Sequence, residues 1–171
     1  MIKMLMIDVD GVLTDGSISI GDSAEESKTF NVKDGMGIVL ARKAGIRVVF
    51  LSGRYSKALV NRAKELGVED VHHNASDKVS VLEEFMKQHS LKKEEVAYIG
   101  DDINDMPVLK RVGFPCVVND AVEEVKAIAG YTSKLNGGRG AVREIIDMIL
   151  KADNTYDQAV EAYLEKKEKR Q

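Results

Sequence analysis

The sequence predicts an α/β fold in which helices cover both faces of a parallel β-sheet. Short apolar runs rich in β-branched residues alternate along the chain with segments whose apolar residues have helical spacing. Glycine follows two of these helical segments, at Gly45 and Gly67, where it is a common helix C-terminal residue. This alternation is typical of parallel strands that are buried on both sides.

The composition predicts a soluble globular protein whose residues 1–171 form one domain. A length of 171 residues allows a sizeable core, and 44% hydrophobic with 31% charged residues is ordinary for this class. The net charge of −3 and the lack of a basic stripe argue against a nucleic-acid partner. No apolar run approaches the ~18 residues of a membrane span. The single cysteine, Cys116, cannot form an internal disulfide, so we expect a cytoplasmic location.

The first predicted strand, residues 2–9, contains the apolar run MLMI and ends among acidic residues. Two short strands are predicted next, at residues 17–20 and 28–32, with turn-forming residues at 21–23 between them. They predict a small β-hairpin, inserted after the first strand, that spans about residues 16–32.

The rest of the chain alternates between predicted strands and helices. Apolar, β-rich runs predict further strands at residues 47–51, 70–73, 95–99 and 116–118. Apolar spacing of three to four residues predicts helices at residues 36–43, 56–66, 77–88, 104–111, 121–129 and 141–151. The expected result is a three-layer, Rossmann-like sheet with helices on both faces.

The C-terminal segment, residues 153–171, is dense in charge and is predicted to be helical. Tyr156, Val160, Tyr163 and Leu164 form a weak apolar stripe within it. Two interpretations remain open from the sequence. The segment is either a solvated terminal helix or a helix that docks on a neighbouring subunit.

Polar side chains follow three of the predicted strands and one helix start. In an open parallel sheet, ligands bind beyond the carboxyl ends of the strands, so these side chains are expected at one edge. They are Asp8 and Asp10 after the first strand, Ser52, Gly53 and Arg54 after the strand at 47–51, Lys78 at the start of a helix, and Asp101, Asp102 and Asp105 after the strand at 95–99.

Several carboxylates at one edge would repel one another unless positive charge offsets them. A divalent cation together with Lys78 would supply that charge. Ligands that are all oxygen favour a hard ion, and Mg²⁺ suits a site of few carboxylates plus substrate phosphate. The histidines, His72, His73 and His89, lack the partners that a zinc site needs.

Five motifs spread over about residues 2–151 resemble the haloacid dehalogenase superfamily of phosphohydrolases. They are DVDGVLTDG, FNVKDGMGI, LSGR, GDDINDMPVL and GGRGAVREIIDMIL. They look like its small branch without a cap domain, and the loop from Asp10 to about Phe30 is too short for a folded cap. The best-known members of that branch dephosphorylate 3-deoxy-D-manno-octulosonate 8-phosphate (KDO 8-phosphate), and others act on nine-carbon, sialic-acid-type 9-phosphates.

The resemblance implies a role for each residue near the reacting phosphate. Asp8 would attack phosphorus and form an aspartyl-phosphate, which water then hydrolyses. Asp10 would protonate the leaving oxygen and afterwards activate the water. Ser52 and the backbone N–H of Gly53 would bind the phosphoryl oxygens, and Lys78 would hold both the phosphate and Asp8.

The resemblance also implies how Mg²⁺ is held. Asp8 and Asp101 would bind the ion through their side chains, and Asp10 through its backbone carbonyl. Asp102 and Asp105 would orient water, Lys78 or the metal ligands without binding the metal themselves. Which of Asp101 and Asp102 touches the ion stays open.

Arginines are the candidates for recognising the carboxylate of a sugar-acid phosphate. They are Arg54, Arg62, Arg139 and Arg143. Arg54 directly after Ser-Gly resembles the eight-carbon enzymes, whereas a glutamate is expected there in the nine-carbon enzymes. Without a cap, the resemblance implies a homotetramer in which hairpins join subunits and one subunit covers the site of another.

Three alternatives to a KDO 8-phosphate phosphatase follow from the same residues. A sialic-acid-type 9-phosphate phosphatase would keep the mechanism and change the substrate. A phospho-accepting signalling receiver would also use acidic residues, Mg²⁺ and a lysine, but the strand RVVFL ends in Ser-Gly without an aspartate. A catalytically silent assembly domain on the same scaffold is disfavoured because all the motif residues are present.

Overall fold

The computed structural model describes residues 1–22, 26–75 and 77–168. Its central element is a six-stranded sheet in which every paired neighbour is parallel. The strands lie in the order β5-β4-β1-β6-β7-β8, and a separate antiparallel hairpin is formed by β2 and β3. Their bounds are β1 Met4–Asp8, β2 Ser19–Ile20, β3 Glu26–Ser27, β4 Arg47–Leu51, β5 Asp70–His72, β6 Val96–Gly100, β7 Phe114–Val117 and β8 Tyr131–Thr132.

β1 lies between β4 and β6 in the middle of the sheet. All five of its residues are buried. Since successive side chains of a strand point to opposite faces, both faces of the sheet must be covered there. The register pairs Asp8 with Leu51 of β4, and Ile7 with Ile99 of β6. The residues that follow these three strands therefore start from one level at the carboxyl edge of the sheet.

The helices occupy the connections between the parallel strands. Their bounds are α1 Val32–Lys43, α2 Lys57–Leu66, α3 Lys78–Gln88, α4 Met106–Leu109, α5 Glu123–Lys126, α6 Ala141–Ala152 and α7 Tyr156–Glu168. Three of them begin at side-chain N-caps: Asn31 accepts from Lys33 N, Ser56 accepts from Leu59 N, and Asp77 accepts from Ser80 N.

The predicted fold class is confirmed, and most predicted elements lie within two residues of the observed ones. The second hairpin strand is an exception, because it lies at Glu26–Ser27 and not at residues 28–32. α1 begins at Val32, four residues before the predicted start, since Asn31 caps it. The helix predicted at 121–129 is regular only over Glu123–Lys126, and the short edge strand β8 was not predicted.

α7 packs on its own chain. It contacts α1 and α6, Ala159 is fully buried, and Tyr156, Val160 and Tyr163 are partly buried against the core. The apolar stripe is thus used within the subunit, although Leu164 stays exposed. Residues 169–171 of the predicted helical segment lie outside the described residues. Within the described part of the chain, none of the helices has the length and apolar character needed to cross a membrane.

The N-terminus of α6 is capped from a distance by Asp34 of α1. Its carboxylate accepts from the backbone N–H groups of Gly140, at 3.2 Å, and Arg143, at 2.9 Å. Burial raises the pKa of Asp34, while these two N–H bonds oppose the rise. The contact ties α1 to the Gly-Gly-Arg-Gly loop that precedes α6.

That loop packs directly on the turn after β1. A Cβ at Gly137 would lie 1.7 Å from the carbonyl oxygen of Gly11, and one at Gly138 would lie 2.5 Å from the backbone nitrogen of Asp15. Only glycine allows backbones to approach this closely. The two glycines therefore serve the packing of the turn that carries Asp10.

Candidate active site

Buried carboxylates and one lysine meet where β1 and β6 end. Asp8 is the last residue of β1, and Lys78 is the first residue of α3. The Lys78 ammonium lies 2.7 Å from Asp8 Oδ1 and 2.6 Å from Asp105 Oδ1. One carboxylate oxygen each from Asp8, Asp101 and Asp105 lie within 4.8 Å of one another. The structure thus brings together four of the residues predicted from the sequence.

Asp105 holds this cluster in place. It is fully buried, and its Oδ1 accepts from Lys78 and, at 2.5 Å, from the hydroxyl of Tyr98. Its Oδ2 accepts from the backbone nitrogens of Asp101, at 2.8 Å, and Asp102, at 3.4 Å. Gly100 leaves room for it, because a Cβ there would lie 2.5 Å from Asp105 Oδ2. With both oxygens engaged, Asp105 is arranged to orient its neighbours.

Asp8 and Asp101 have the properties of cation ligands. Burial, followed by the charge of Asp105, raises the pKa of Asp8 to about 7, although Lys78 acts in the opposite direction. Burial, followed by the charges of Asp8 and Asp105, raises the pKa of Asp101 to about 8. Gly11 makes the space for Asp101, since a Cβ there would lie 2.0 Å from Asp101 Oδ2. Hard oxygen donors that repel one another in a buried site fit Mg²⁺.

Ser52, Gly53 and Asp10 form a second group beside the first. The Ser52 side chain is fully buried, and its hydroxyl donates to Arg54 O at 2.8 Å and lies 3.4 Å from Asp10 Oδ2. Gly53 is exposed, and nothing described lies within 4 Å of the place where a Cβ would be. The space above Gly53 is therefore open for a ligand. Asp102 is also exposed and caps a short turn by accepting from Ile103 N.

Two charged residues of the hairpin reach the site, and the sequence did not indicate them. Lys28 lies 2.5 Å from Asp10 Oδ1 and 2.7 Å from Glu26 Oε1. Glu26 Oε2 in turn lies 2.6 Å from a guanidinium nitrogen of Arg54. The four residues Asp10, Lys28, Glu26 and Arg54 are named here the hairpin ion-pair chain. The only sequence signal was the local pattern Glu-Ser-Lys, which is common on exposed strands.

The other predicted arginines have protein partners. Arg62 bonds to Glu65 at 2.8 Å and to Asn31 O at 3.5 Å, and it packs against the Cα of Gly35. Arg139 lies 3.2 Å from Asp15 Oδ2. Within the described ranges, neither makes a hydrogen bond to the carboxylate cluster.

Arg143 and Asp15 also have structural partners. Arg143 pairs with Asp147 on α6 at 2.8 Å. Asp15 accepts from Ser17 N at 3.0 Å, a bond that closes the turn leading into the hairpin. Substrate binding by Arg62 and Arg139 stays a prediction.

Comparison with known proteins agrees with this geometry. A family model described as haloacid dehalogenase-like hydrolase matches residues 68–146, which include Lys78, Asp101, Asp102 and Asp105. Together with the relatives described next, this match shows that the chain belongs to this class of hydrolases, as the resemblance in its motifs predicted.

Curated relatives with similar sequences identify the family within this class of hydrolases. The 3-deoxy-D-manno-octulosonate 8-phosphate phosphatase KdsC of Escherichia coli K12 is 40% identical over 158 residues, 92% of this chain and 84% of the relative. The chain therefore belongs to the KDO 8-phosphate phosphatase family. The predicted family and the phosphatase class are confirmed.

Solved structures of relatives match the fold closely. The KDO 8-phosphate phosphatase from Moraxella catarrhalis, in complex with magnesium, phosphate and KDO, has a TM-score of 0.90 at 36% identity and covers 95% of this chain and 93% of its own. The cobalt-bound enzyme from Haemophilus influenzae has a TM-score of 0.88 at 38% identity and covers 95% and 96%. The predicted use of Mg²⁺ agrees with the magnesium-bound relative.

Proposed function

We propose that this protein hydrolyses KDO 8-phosphate to KDO and phosphate in a Mg²⁺-dependent reaction. The observation that carries the proposal is the placement of Asp8, Lys78 and Asp101 at the carboxyl edge of the sheet in a member of this family. The KDO-bound relative supports the choice of an eight-carbon sugar acid as substrate.

In the first step, the Asp8 carboxylate attacks phosphorus and the bond to the sugar oxygen breaks. Lys78 holds Asp8 through Oδ1 and so fixes the position of the attacking carboxylate. Asp10 gives its proton to the leaving sugar oxygen. When substrate binds, the Ser52 hydroxyl turns from Arg54 O to the phosphoryl group. Together with the N–H of Gly53 it then holds the phosphoryl oxygens, where negative charge is spread in the transition state.

In the second step, water attacks the aspartyl-phosphate and phosphate leaves. Asp10, now ionised, takes a proton from the water, which restores both aspartates. Asp8 and Asp101 would hold Mg²⁺, whose positive charge would offset the repulsion between the carboxylates and the phosphate dianion. Asp105 keeps Lys78 and the backbone of Asp101 in position throughout.

Mg²⁺-dependent phosphate release tests this proposal. The substrates are KDO 8-phosphate, a nine-carbon sugar-acid 9-phosphate and an aryl phosphate, each with wild type and with Asp8→Asn. We expect the highest kcat/KM for KDO 8-phosphate and a loss of at least about 10³-fold in Asp8→Asn, because the nucleophile is removed. Circular dichroism checks that the variant is folded.

The possible outcomes separate the parts of the proposal. A preference for the nine-carbon ester would keep the mechanism and reject the substrate. Substantial turnover by Asp8→Asn would reject Asp8 as nucleophile. Absence of Mg²⁺-dependent release from all three esters would reject the enzyme function itself.

We also propose that the protein assembles as a homotetramer through its hairpins. Ile18 and Ile20 are 54% and 64% exposed, and a two-stranded ribbon is marginal by itself. Light scattering should give a tetramer mass for wild type and a smaller mass for Ile20→Asp, with Val60→Asp, an exposed site on α2, as the matched control. A monomeric wild type would contradict the assembly.

A cytoplasmic location is proposed on chemical grounds alone. Cys116 is free and buried, and burial raises the pKa of its thiol above the usual range. Such a thiol is inert as a nucleophile, which agrees with a structural role in a reducing compartment. Fractionation of cells that express the protein would test the location.

A further inference from the structure

The hairpin ion-pair chain contains a carboxylate that bridges two cations. Glu26 uses one oxygen for each partner: Oε1 lies 2.7 Å from Lys28 and Oε2 lies 2.6 Å from Arg54. Lys28 continues the chain to Asp10, the proposed acid and base. Charges alternate along these four residues, so each charge has an opposite charge beside it.

The side chains of the hairpin ion-pair chain differ in how far they are buried. The side chain of Lys28 is 3% exposed and that of Glu26 is 16% exposed, whereas that of Arg54 is 46% exposed. The hydrogen bond from Lys28 is the main cause that lowers the pKa of Glu26, so this residue is a carboxylate at neutral pH. Glu26 is therefore a half-buried anion that holds the inner end of a solvent-exposed arginine.

Arg54 keeps donors for a ligand while it is bound to Glu26. A guanidinium carries five N–H donors, and among the described side chains Glu26 is the acceptor for only one nitrogen of Arg54. The Arg54 side chain is 46% exposed, and nothing described lies within 4 Å of the place where a Cβ of the adjacent Gly53 would be, so these donors are accessible to a ligand. A carboxylate of the substrate could bind there without displacing Glu26, and the orientation of the guanidinium would already be set.

We propose that Glu26 is a positioning residue that gives the enzyme its preference for phosphate esters that bear a carboxylate. Glu26 holds the Arg54 guanidinium so that its free donors meet the carboxylate of the substrate. The inference rests on the proposed function, because it takes the substrate to be a sugar-acid phosphate. An ester without a carboxylate gains nothing from this arrangement.

The experiment compares two esters across a double-mutant cycle. KDO 8-phosphate and an aryl phosphate are assayed with wild type, Glu26→Gln, Arg54→Gln and the double variant. The control is Asp70→Asn, which removes the charge from another arginine pair: Arg47 and Asp70 are also 2.6 Å apart, with side chains 41% and 24% exposed, at the opposite end of β4.

We expect Glu26→Gln to lower the ratio of kcat/KM for the two esters about tenfold, mainly through a higher KM for KDO 8-phosphate. The double variant should have the ratio of Arg54→Gln alone, because Glu26 acts through Arg54. Asp70→Asn should leave the ratio within about twofold. Glu26→Ala gives the same test if Glu26→Gln does not fold, as judged by circular dichroism.

Three results would overturn the inference. Equal losses on both esters would make Glu26 a structural residue. Additive effects in the cycle would mean that Glu26 does not act through Arg54. A lower KM for KDO 8-phosphate in Glu26→Gln would mean that Glu26 competes with the substrate for Arg54. Failure of the proposed function is a separate result, since wild type itself would then show no preference for KDO 8-phosphate.

Discussion

The candidate site has an inner half around Lys78 and an outer half around Lys28, and the two halves differ in how far their ion pairs are buried. On the inner side, Lys78 is 5% exposed between Asp8, at 6%, and Asp105, at 0%. On the outer side, Lys28 is equally buried, but its partners Asp10 and Glu26 are 32% and 16% exposed. Both lysines neutralise two carboxylates. The inner lysine begins α3 and meets carboxylates at or just after the ends of the five-residue strands β1 and β6, whereas the outer one follows a hairpin with two-residue strands.

The comparison indicates a division of work between rigid and adaptable parts. The inner half carries the proposed nucleophile, which must be placed accurately relative to phosphorus. The outer half carries the proposed acid and base and the arginine that would meet the sugar. Specificity can therefore change through the hairpin while the reaction stays the same.

Replacing each lysine by methionine tests the difference most strongly. Lys78→Met leaves two carboxylates buried without a cation, which should cost about 3–5 kcal/mol and lower Tm by roughly 10 °C. Lys28→Met should cost only about 1–2 kcal/mol, because Asp10 and Glu26 reach water. Thermal unfolding of the metal-free proteins measures both. Equal losses would contradict the division into a buried and a solvated half.

Gly11 lies between the two halves of the site, next to Asp10 in sequence and against Asp101 in space. The variant Gly11→Ala tests whether this close approach is needed for activity. Gly11 has φ +91° and its Cβ would lie 2.0 Å from Asp101 Oδ2, so the variant combines backbone strain with displacement of Asp101. Gly45→Ala is the control, since Gly45 has φ +83° with nothing within 4 Å.

Backbone strain should cost each variant about 1–2 kcal/mol in unfolding experiments. Only Gly11→Ala should also lose at least about tenfold in kcat/KM. An equal, small change in kcat/KM for both variants would show that the space beside Asp101 does not matter.

The effect of pH on metal binding tests the charge of the inner half. The folded pKa of Asp8, about 7, lies above its ordinary value of 3.8. The stability that comes from this protonated carboxyl is fully present below pH 3.8 and is lost as pH rises through about 7. Mg²⁺ requires the ionised form, so subsaturating Mg²⁺ should raise Tm more at pH 8 than at pH 5.5.

At pH 5.5, about 1.5 units below the pKa of Asp8, removing its proton to bind Mg²⁺ costs about 2 kcal/mol of binding free energy, whereas at pH 8 the cost is small. Calorimetry in two buffers of different ionisation enthalpy would measure the proton release directly. Asp8→Asn is the control, since it lacks this group and keeps only Asp101, whose pKa is raised to about 8, so it should release fewer protons. A gain in Tm that is independent of pH would contradict the raised pKa.

Elements with strong local signals were predicted well from the sequence. β4 was predicted at its observed bounds, because RVVFL is a continuous apolar, β-branched run between a glycine-terminated helix and Ser-Gly. β3 was placed wrongly because two-residue strands have no periodicity to detect. The alternation of charge and small residues at 26–28 is equally compatible with a loop.

In the candidate site, the sequence predicted those residues that directly follow an apolar strand. Asp8, Asp101 and Asp105 follow buried strands, so their convergence follows from the parallel topology. Lys28, Glu26 and Asp34 act on partners far away in the sequence, and a single sequence without long-range contact information does not contain those pairs. The assignment of Arg54 to the site follows from Ser-Gly, but its anchor at Glu26 comes from the folded hairpin.

The central place of β1 has a consequence for biosynthesis. β1 leaves the ribosome before its neighbours β4 and β6, which end at Leu51 and Gly100. Synthesis must therefore reach Gly100 before the apolar run MLMI has partners on both sides. Until then it is an unpaired hydrophobic edge, and non-local parallel pairing of this kind is slow. Among the described strands, the one that carries the proposed nucleophile thus waits longest for its partners during synthesis.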